Sequence, residues 1–284
     1  MELTSDQIQG LRKTELALLD EFSRVCSELG LRWFLVQGSL LGAVRHGGFI
    51  PWDDDIDVGM MRADHERFVR EAQKLLPEWC FLQTHKTDPG YMQCYSKLRD
   101  SRTVFWETTY KNIDMNHGVY IDIFPFDEYP DDVLSTAWYE ARKLLIRYRL
   151  RGMYYIPKDR KPSAANLARA LLCRFSRLCY PTEEEAFQAQ ERIIRGARGR
   201  RLTSAGSPWG RRELLTAEVL RGSTPLRFEG RQYPGPEHFD AYLSKVYGDY
   251  RKLPPPEERV SHHPIWKLEL PEKGKTEEDH TAGR

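Results

Sequence analysis

Leu11, Leu18, Phe22, Val25 and Leu29 recur at helical spacing behind Thr4-Ser5-Asp6-Gln7, which has the form of a capping box. The chain therefore begins with an amphipathic helix, and Gly30 stops it. Residues 33–36 form a short apolar run suited to a buried strand, ending at Gln37-Gly38-Ser39. Residues 40–44 fit a short helix before the Gly47-Gly48 turn. From Asp53 to Met61 polar and apolar positions alternate, as in a strand, which places Asp53, Asp55 and Asp57 on one face and Asp54 and Ile56 on the other. Residues 62–76 return to helical spacing, with Phe68, Ala72 and Leu75 on one side. Strands follow near residues 81–82, 92–98, 104–106 and 119–124, the last closed by Pro125. The order of elements predicts an α+β fold: a mixed sheet flanked by helices.

The character changes after Pro130. Residues 141–180 hold eleven Lys and Arg against one acid, Asp159, a local charge of +10 in a segment of helical pattern. A further helix is expected at residues 240–247, Pro254-Pro255-Pro256 interrupts the chain, and the sequence is polar and charged from Lys267. We read one domain over residues 1–266, with a core near 30–130 and a basic helical elaboration over 131–266. A flexible polar tail follows over 267–284.

Across all 284 residues, 43 basic side chains balance 42 acidic ones, so no global field favours nucleic acid and any anion-binding surface is local. No apolar run is long enough to span a membrane, and the N-terminal residues are acidic where a signal peptide is basic and then apolar. Five cysteines without a paired spacing read as reduced thiols of a cytoplasmic protein, not as a zinc site.

The chemistry concentrates in Gly38 to Asp57. Three carboxylates on one face, among Ile50, Trp52, Ile56, Val58 and Met60, repel one another unless a cation compensates them. Mg²⁺, or Mn²⁺, meets that need with oxygen ligands and leaves positions for phosphate oxygens. An EF-hand does not fit, because its sixth position must be Gly and is Val58, and its twelfth should be Glu and is Asp64. Gly38 and Ser39 form a turn whose glycine admits close approach of a ligand and whose following helix N-terminus offers N–H donors to phosphate. Asp122 stands among apolar β residues in Val119-Tyr120-Ile121-Asp122-Ile123-Phe124, where a charge needs a partner: a metal ion, or a buried ion pair with an arginine.

The string Gly-Ser-Leu-Leu-Gly-Ala-x-Arg-His-Gly-x-x-Ile-Pro-Trp-Asp-Asp-Asp-Ile-Asp, residues 38–57, closely resembles the LicD family, related to fukutin, within the polymerase-beta-like nucleotidyltransferase fold. The resemblance runs from about Leu31 to Asp127, with an echo at Tyr247-Gly248-Asp249-Tyr250 and Pro254-Pro255-Pro256-Glu257. It implies a nucleotidyltransferase-like sheet. It also implies transfer of a phospho-alcohol, such as phosphocholine or ribitol phosphate, from a CDP-linked donor such as CDP-choline to a hydroxyl of a cell-envelope glycan, lipopolysaccharide or teichoic acid. Carried over by position, Asp53, Asp55, Asp57 and Asp122 are the catalytic and metal-binding acids, and Gly38 and Ser39 the phosphate-side turn. Which two of the first three acids hold metal directly stays open; Asp55 and Asp57 fit the superfamily spacing best.

Basic residues complete the expected site. Arg45 and His46 follow the short helix and are candidates to hold a donor phosphate. Lys97 and Arg99 alternate on a strand and share a face, as a diphosphate clamp or as an exposed strand edge. His262 and His263 either close over the site from the C-terminal side or form a surface turn. Two rivals share these residues: transfer of NMP to a small molecule, and a non-catalytic glycan- or nucleotide-binding module. A lipid-linked acceptor would bring the basic segment to an anionic membrane surface, with Leu167, Leu171, Phe175 and Leu178 at helical spacing and arginines between them. The other account packs those leucines on the core.

Overall fold

A computed structural model describes residues 3–154, 164–204, 206, 209–260 and 263–271. Helix α1 (Ser5–Glu28) begins as its sequence dictates: Thr4 Oγ1 accepts from the Gln7 N–H and Gln7 Oε1 accepts from the Thr4 N–H. Its Leu11, Leu18, Leu19, Phe22 and Val25 are buried, and Gly30 turns the chain out of the helix at φ 63°. The two-residue strand β1 (Phe34–Leu35) leads through Val36 into helix α2 (Gln37–His46). Strand β2 (Asp57–Met61), helix α3 (Arg62–Glu71) with a 3₁₀ turn at Ala72–Lys74, and strands β3 (Cys80–Gln83), β4 (Ser96–Asp100), β5 (Val104–Glu107) and β6 (Val119–Tyr129) complete the N-terminal half.

The C-terminal half contains helices α4 (Val133–Tyr154), α5 (Ala164–Cys179), α6 (Glu183–Gly196) and α7 (Phe239–Tyr247). Its strands are β7 (Arg201–Ser204), β8 (Leu215–Thr216), β9 (Thr224–Phe228), β10 (Arg231–Gly235) and β11 (Ile265–Glu269). The expected elaboration is thus not simply helical. β7 joins the central sheet on β6, β9 and β10 form a hairpin, and β11 pairs with β5. The strand β11 also takes in the first three residues of the expected tail; residues 272–284 lie outside the described residues, as do Lys158, Arg160 and Lys161 of the basic segment.

The central sheet runs β1-β2-β6-β4-β3, with β7 on β6 and β8 on β7. Among the described residues only β2 and β6 pair in parallel, and their register sets Asp57 opposite Asp122. On the other side of β6, antiparallel β4 sets Lys97 opposite the same Asp122. Pro125 does not close β6, which continues to Tyr129. On that side β4 pairs only as far as Ile123 and β7 begins at Phe126, so Pro125 falls in the gap, where a missing N–H costs no ladder bond.

The acidic run departs most from expectation. Strand structure begins only at Asp57, because Pro51 and Trp52 make a turn that the Asp53 N–H closes onto the Ile50 carbonyl at 2.9 Å. The main core lies between α1 and the sheet. A second, smaller one, built on Tyr129, Tyr139, Ile146, Phe187 and Ile193, joins α4 and α6 to the end of β6. Among the described residues no helix is long and apolar enough to cross a membrane, and all five cysteines are free thiols.

Candidate active site

Backbone hydrogen bonds lock the acids to the sheet. The Asp122 N–H donates to the Ile56 carbonyl at 2.8 Å, the Val36 N–H to the Asp57 carbonyl at 3.2 Å, and the Asp57 N–H to Ser39 Oγ at 2.8 Å. Ser39, expected on the phosphate side, therefore ties the start of α2 to the first residue of β2. Just before it, Gln37 holds a left-handed φ of 47°, and its N–H donates to Tyr242 Oη at 3.3 Å. Gly38 is closely approached: a Cβ there would stand 2.5 Å from Asp53 Oδ2 and 3.8 Å from Asp57 Oδ2.

Two overlapping groups of carboxylates result. Asp55, Asp57 and Asp122 each bring an oxygen within 4.8 Å of the others, and so do Asp53, Asp54 and Asp55. The alternation that would have turned Asp54 away does not exist, because residues 53–56 are not a strand. Arg12, on α1, fixes this loop: its Nη2 lies 3.0 Å from the Ile50 carbonyl oxygen and 3.1 Å from those of Pro51 and Asp53.

Charge in the cluster is poorly balanced. Burial, then the neighbouring Asp55 and Asp54, raise the Asp53 carboxyl to about 8. Burial and the surrounding acids push Asp57 well up. Asp55 also rises, by burial and by Asp122 and Asp54, with His263 pulling the other way. Asp122 is raised by burial and pulled back by Lys97. Behind the loop, Glu15 is 1% exposed and likewise pushed up, first by burial and then by Asp55, Asp54 and Asp53; among the described residues its Oε2 has no hydrogen-bond partner. Such concentrated, all-oxygen negative charge fits a hard divalent cation held by Asp55, Asp57 and Asp122.

The expected cations divide. Lys97 is 2% exposed, with Nζ 2.7 Å from Asp122 Oδ1 and 3.2 Å from the centre of the Tyr120 ring. The partner foreseen for Asp122 as an arginine is this lysine. Arg99 shares its face, 4.8 Å from the same ring, but is 1% exposed and donates to Gln83 Oε1 and the Gly118 carbonyl. The pair is therefore not an exposed strand edge: both cations are buried and have partners inside the protein. Arg45 is likewise engaged, donating to the carbonyls of Tyr250 at 3.0 Å and Lys252 at 3.3 Å, while exposed His46 stands edge-on to Trp52.

His263 does reach the acids. Its Nδ1 lies 3.0 Å from Asp54 Oδ1 and its Nε2 3.8 Å from Asp55 Oδ2. Burial lowers its pKa, but the Asp54 hydrogen bond and the charges of Asp55 and Asp54 outweigh that and raise it to about 10. His262 lies outside the described residues. Sequence reading missed Arg12, Glu15 and Asp54. A glutamate and an arginine inside the apolar spacing of α1 were the only local signal for the first two.

Residues 30–150 match the family described as LicD/FKTN/FKRP, nucleotidyltransferase domain. The chain is 29% identical over 260 residues to the lipopolysaccharide cholinephosphotransferase LicD of Haemophilus influenzae, covering 87% of this chain and 92% of that protein. It is 30% identical over 116 residues to the human ribitol 5-phosphate transferase FKRP, covering 39% of this chain and 23% of that protein. The mouse FKRP matches at 30% over 116 residues, covering 39% and 24%. The matched part of the chain contains β2, β4 and β6 with all of the clustered aspartates, and the likeness to LicD extends over most of the remainder. Residues 30–150 thus match the LicD/FKTN/FKRP nucleotidyltransferase domain, and the likeness to LicD over most of the chain makes the protein an enzyme of the LicD phosphotransferase type.

Proposed function

We propose that this enzyme, on a nucleotidyltransferase-like sheet, moves a phospho-alcohol of the phosphocholine or polyol-phosphate kind from a CDP-linked donor to a hydroxyl of a cell-surface glycan or its lipid-linked precursor, in the cytoplasm. The observation that carries the reading is the convergence of Asp55 from the loop before β2, Asp57 from the start of β2 and Asp122 from β6, beside the Gly38-Ser39 turn. The names of the relatives add the reaction class: one transfers phosphocholine to lipopolysaccharide, the other ribitol 5-phosphate.

Mg²⁺, or Mn²⁺, bound by Asp55, Asp57 and Asp122 with Asp53 beside them, would offset negative charge on the donor's phosphate oxygens. The remaining tasks belong to the chain. Gly38 lets the Asp53 carboxylate close against the backbone of α2, whose first turn presents N–H groups to the donor phosphate. Ser39 and Arg12 hold the two ends of the acidic loop, so the carboxylates are placed before substrate arrives. Asp122 is the acid we assign to take the acceptor's proton, with Lys97 keeping its carboxylate ionised. The acceptor oxygen forms a bond to the distal phosphorus as the bond to CMP breaks, and CMP leaves with the electron pair.

The test is product analysis. Purified protein is incubated with CDP-choline, CDP-ribitol, CDP-glycerol, CTP or UDP-sugars, with Mg²⁺ and with EDTA. Mg²⁺-dependent release of CMP from one CDP-alcohol supports the reading; pyrophosphate release from CTP, or no CMP from any donor, overturns it.

A further inference from the structure

Helix α5 carries Leu167, Leu171, Phe175 and Leu178, which are 64%, 58%, 52% and 75% exposed. At 3.6 residues per turn these four fall within about 80° of arc. The opposite side of the helix is the one that packs: Ser176 is fully buried, and Cys173 Sγ approaches the Tyr148 carbonyl of α4 at 4.0 Å. The apolar stripe thus points away from the protein, where an ordinary surface helix shows its polar face.

Charge decides what the stripe fits. α5 contains Arg169, Arg174 and Arg177 and no acid. Helical position puts Arg174 and Arg177 along one border of the stripe. The three acids that follow are turned to other work: Glu183 pairs with Arg149, Glu184 with His85, and Glu185 closes the capping box of α6. A large apolar face bordered by cations with no acid among them is complementary to a surface that is apolar within and negative at its rim. An anionic lipid bilayer has that character, and an interfacial helix meets it lying flat, with leucine and phenylalanine below the headgroups and arginines among the phosphates.

We infer that the exposed face of α5 is a docking surface for an anionic membrane leaflet, which holds the enzyme at the bilayer peripherally. The face is remote in sequence from every clustered acid, so docking stands independently of donor identity. Each arginine near the leaflet is worth about fivefold in partitioning.

Full-length protein is sedimented with vesicles of phosphatidylglycerol and phosphatidylcholine, and with vesicles of phosphatidylcholine alone, at about 0.05 M and about 0.5 M salt. The variants are Leu171→Glu with Phe175→Glu, and Arg174→Gln with Arg177→Gln. Binding is expected only to the anionic vesicles at low salt, reduced at least about tenfold by either pair, with the melting temperature of each variant unchanged. No sedimentation at low salt overturns the proposal, as does equal binding by both variants. Gel filtration supplies a third outcome: a wild-type dimer that Leu171→Glu with Phe175→Glu dissolves, without vesicle binding, makes the face an interface between two copies and overturns the membrane assignment.

Discussion

Lys97 and Asp122 stand opposite each other on neighbouring antiparallel strands, Nζ 2.7 Å from Oδ1, and both are almost entirely buried. Two charges out of water persist only as a pair, so removing one partner costs more than removing both. Lys97→Met should destabilise the protein by about 3–5 kcal/mol, read from urea midpoints, because it leaves a buried carboxylate alone. The double variant with Asp122→Asn should recover most of that loss and remain inactive. A Lys97→Met protein as stable as the parent would show that the pair is not what keeps Asp122 charged.

Asp55→Asn and Asp57→Asn should behave in the opposite sense. Each removes a charge from a cluster whose members raise one another, so the melting temperature is expected to hold or rise. Mg²⁺-dependent CMP release should fall at least about a hundredfold, since a carboxylate that helps fix charge at the transition state contributes several kcal/mol. Retention of more than about a tenth of the parent rate by both variants would rule out their assignment as ligands.

Much of this site was legible because it is local. Residues 38–57 present turn, helix and acids in one string, and Asp122 is conspicuous as a lone charge among β-formers. Three features were not legible, each for a reason of geometry. The strand alternation of Asp53, Asp55 and Asp57 failed because Arg12, 38 to 41 positions earlier, gathers the carbonyls of a turn there. Asp54 joined the cluster in consequence. Lys97 and Arg99 did share a face, as the spacing required, but that face proved to be interior, packed on Tyr120. Spacing reports which side a residue occupies and is silent on what covers it.

Gly38 tests the spatial argument. Its backbone needs no left-handed conformation, so Gly38→Ala acts only through the added methyl group, which would stand 2.5 Å from Asp53 Oδ2. That carboxylate must withdraw, and misplacement of a reacting group by about 1 Å costs on the order of a hundredfold in rate. The expected result is a fall in kcat of at least about tenfold, with the melting temperature within a few degrees of the parent. Unchanged kcat would mean that Asp53 takes no part in donor positioning.

His65 gives a pH signature away from the acids. Its ring is 6% exposed on α3, with Nε2 3.0 Å from Ser96 Oγ of β4, and burial, assisted by Arg62 and Arg195, lowers its pKa from 6.5 to about 3. The folded protein keeps this imidazole neutral while the unfolded chain takes up a proton near the ordinary value. Stability from this residue is therefore fully present above about pH 6.5 and is lost as pH falls from there toward about 3. Between about pH 7.5 and about pH 5.5 the linkage amounts to about 1.4 kcal/mol. His65→Gln, which keeps a polar group beside Ser96 and cannot titrate, should reduce the acid-side loss of unfolding free energy by that amount over the same interval. Parallel stability curves for parent and variant would place the titrating proton elsewhere and leave His65 with a packing role alone.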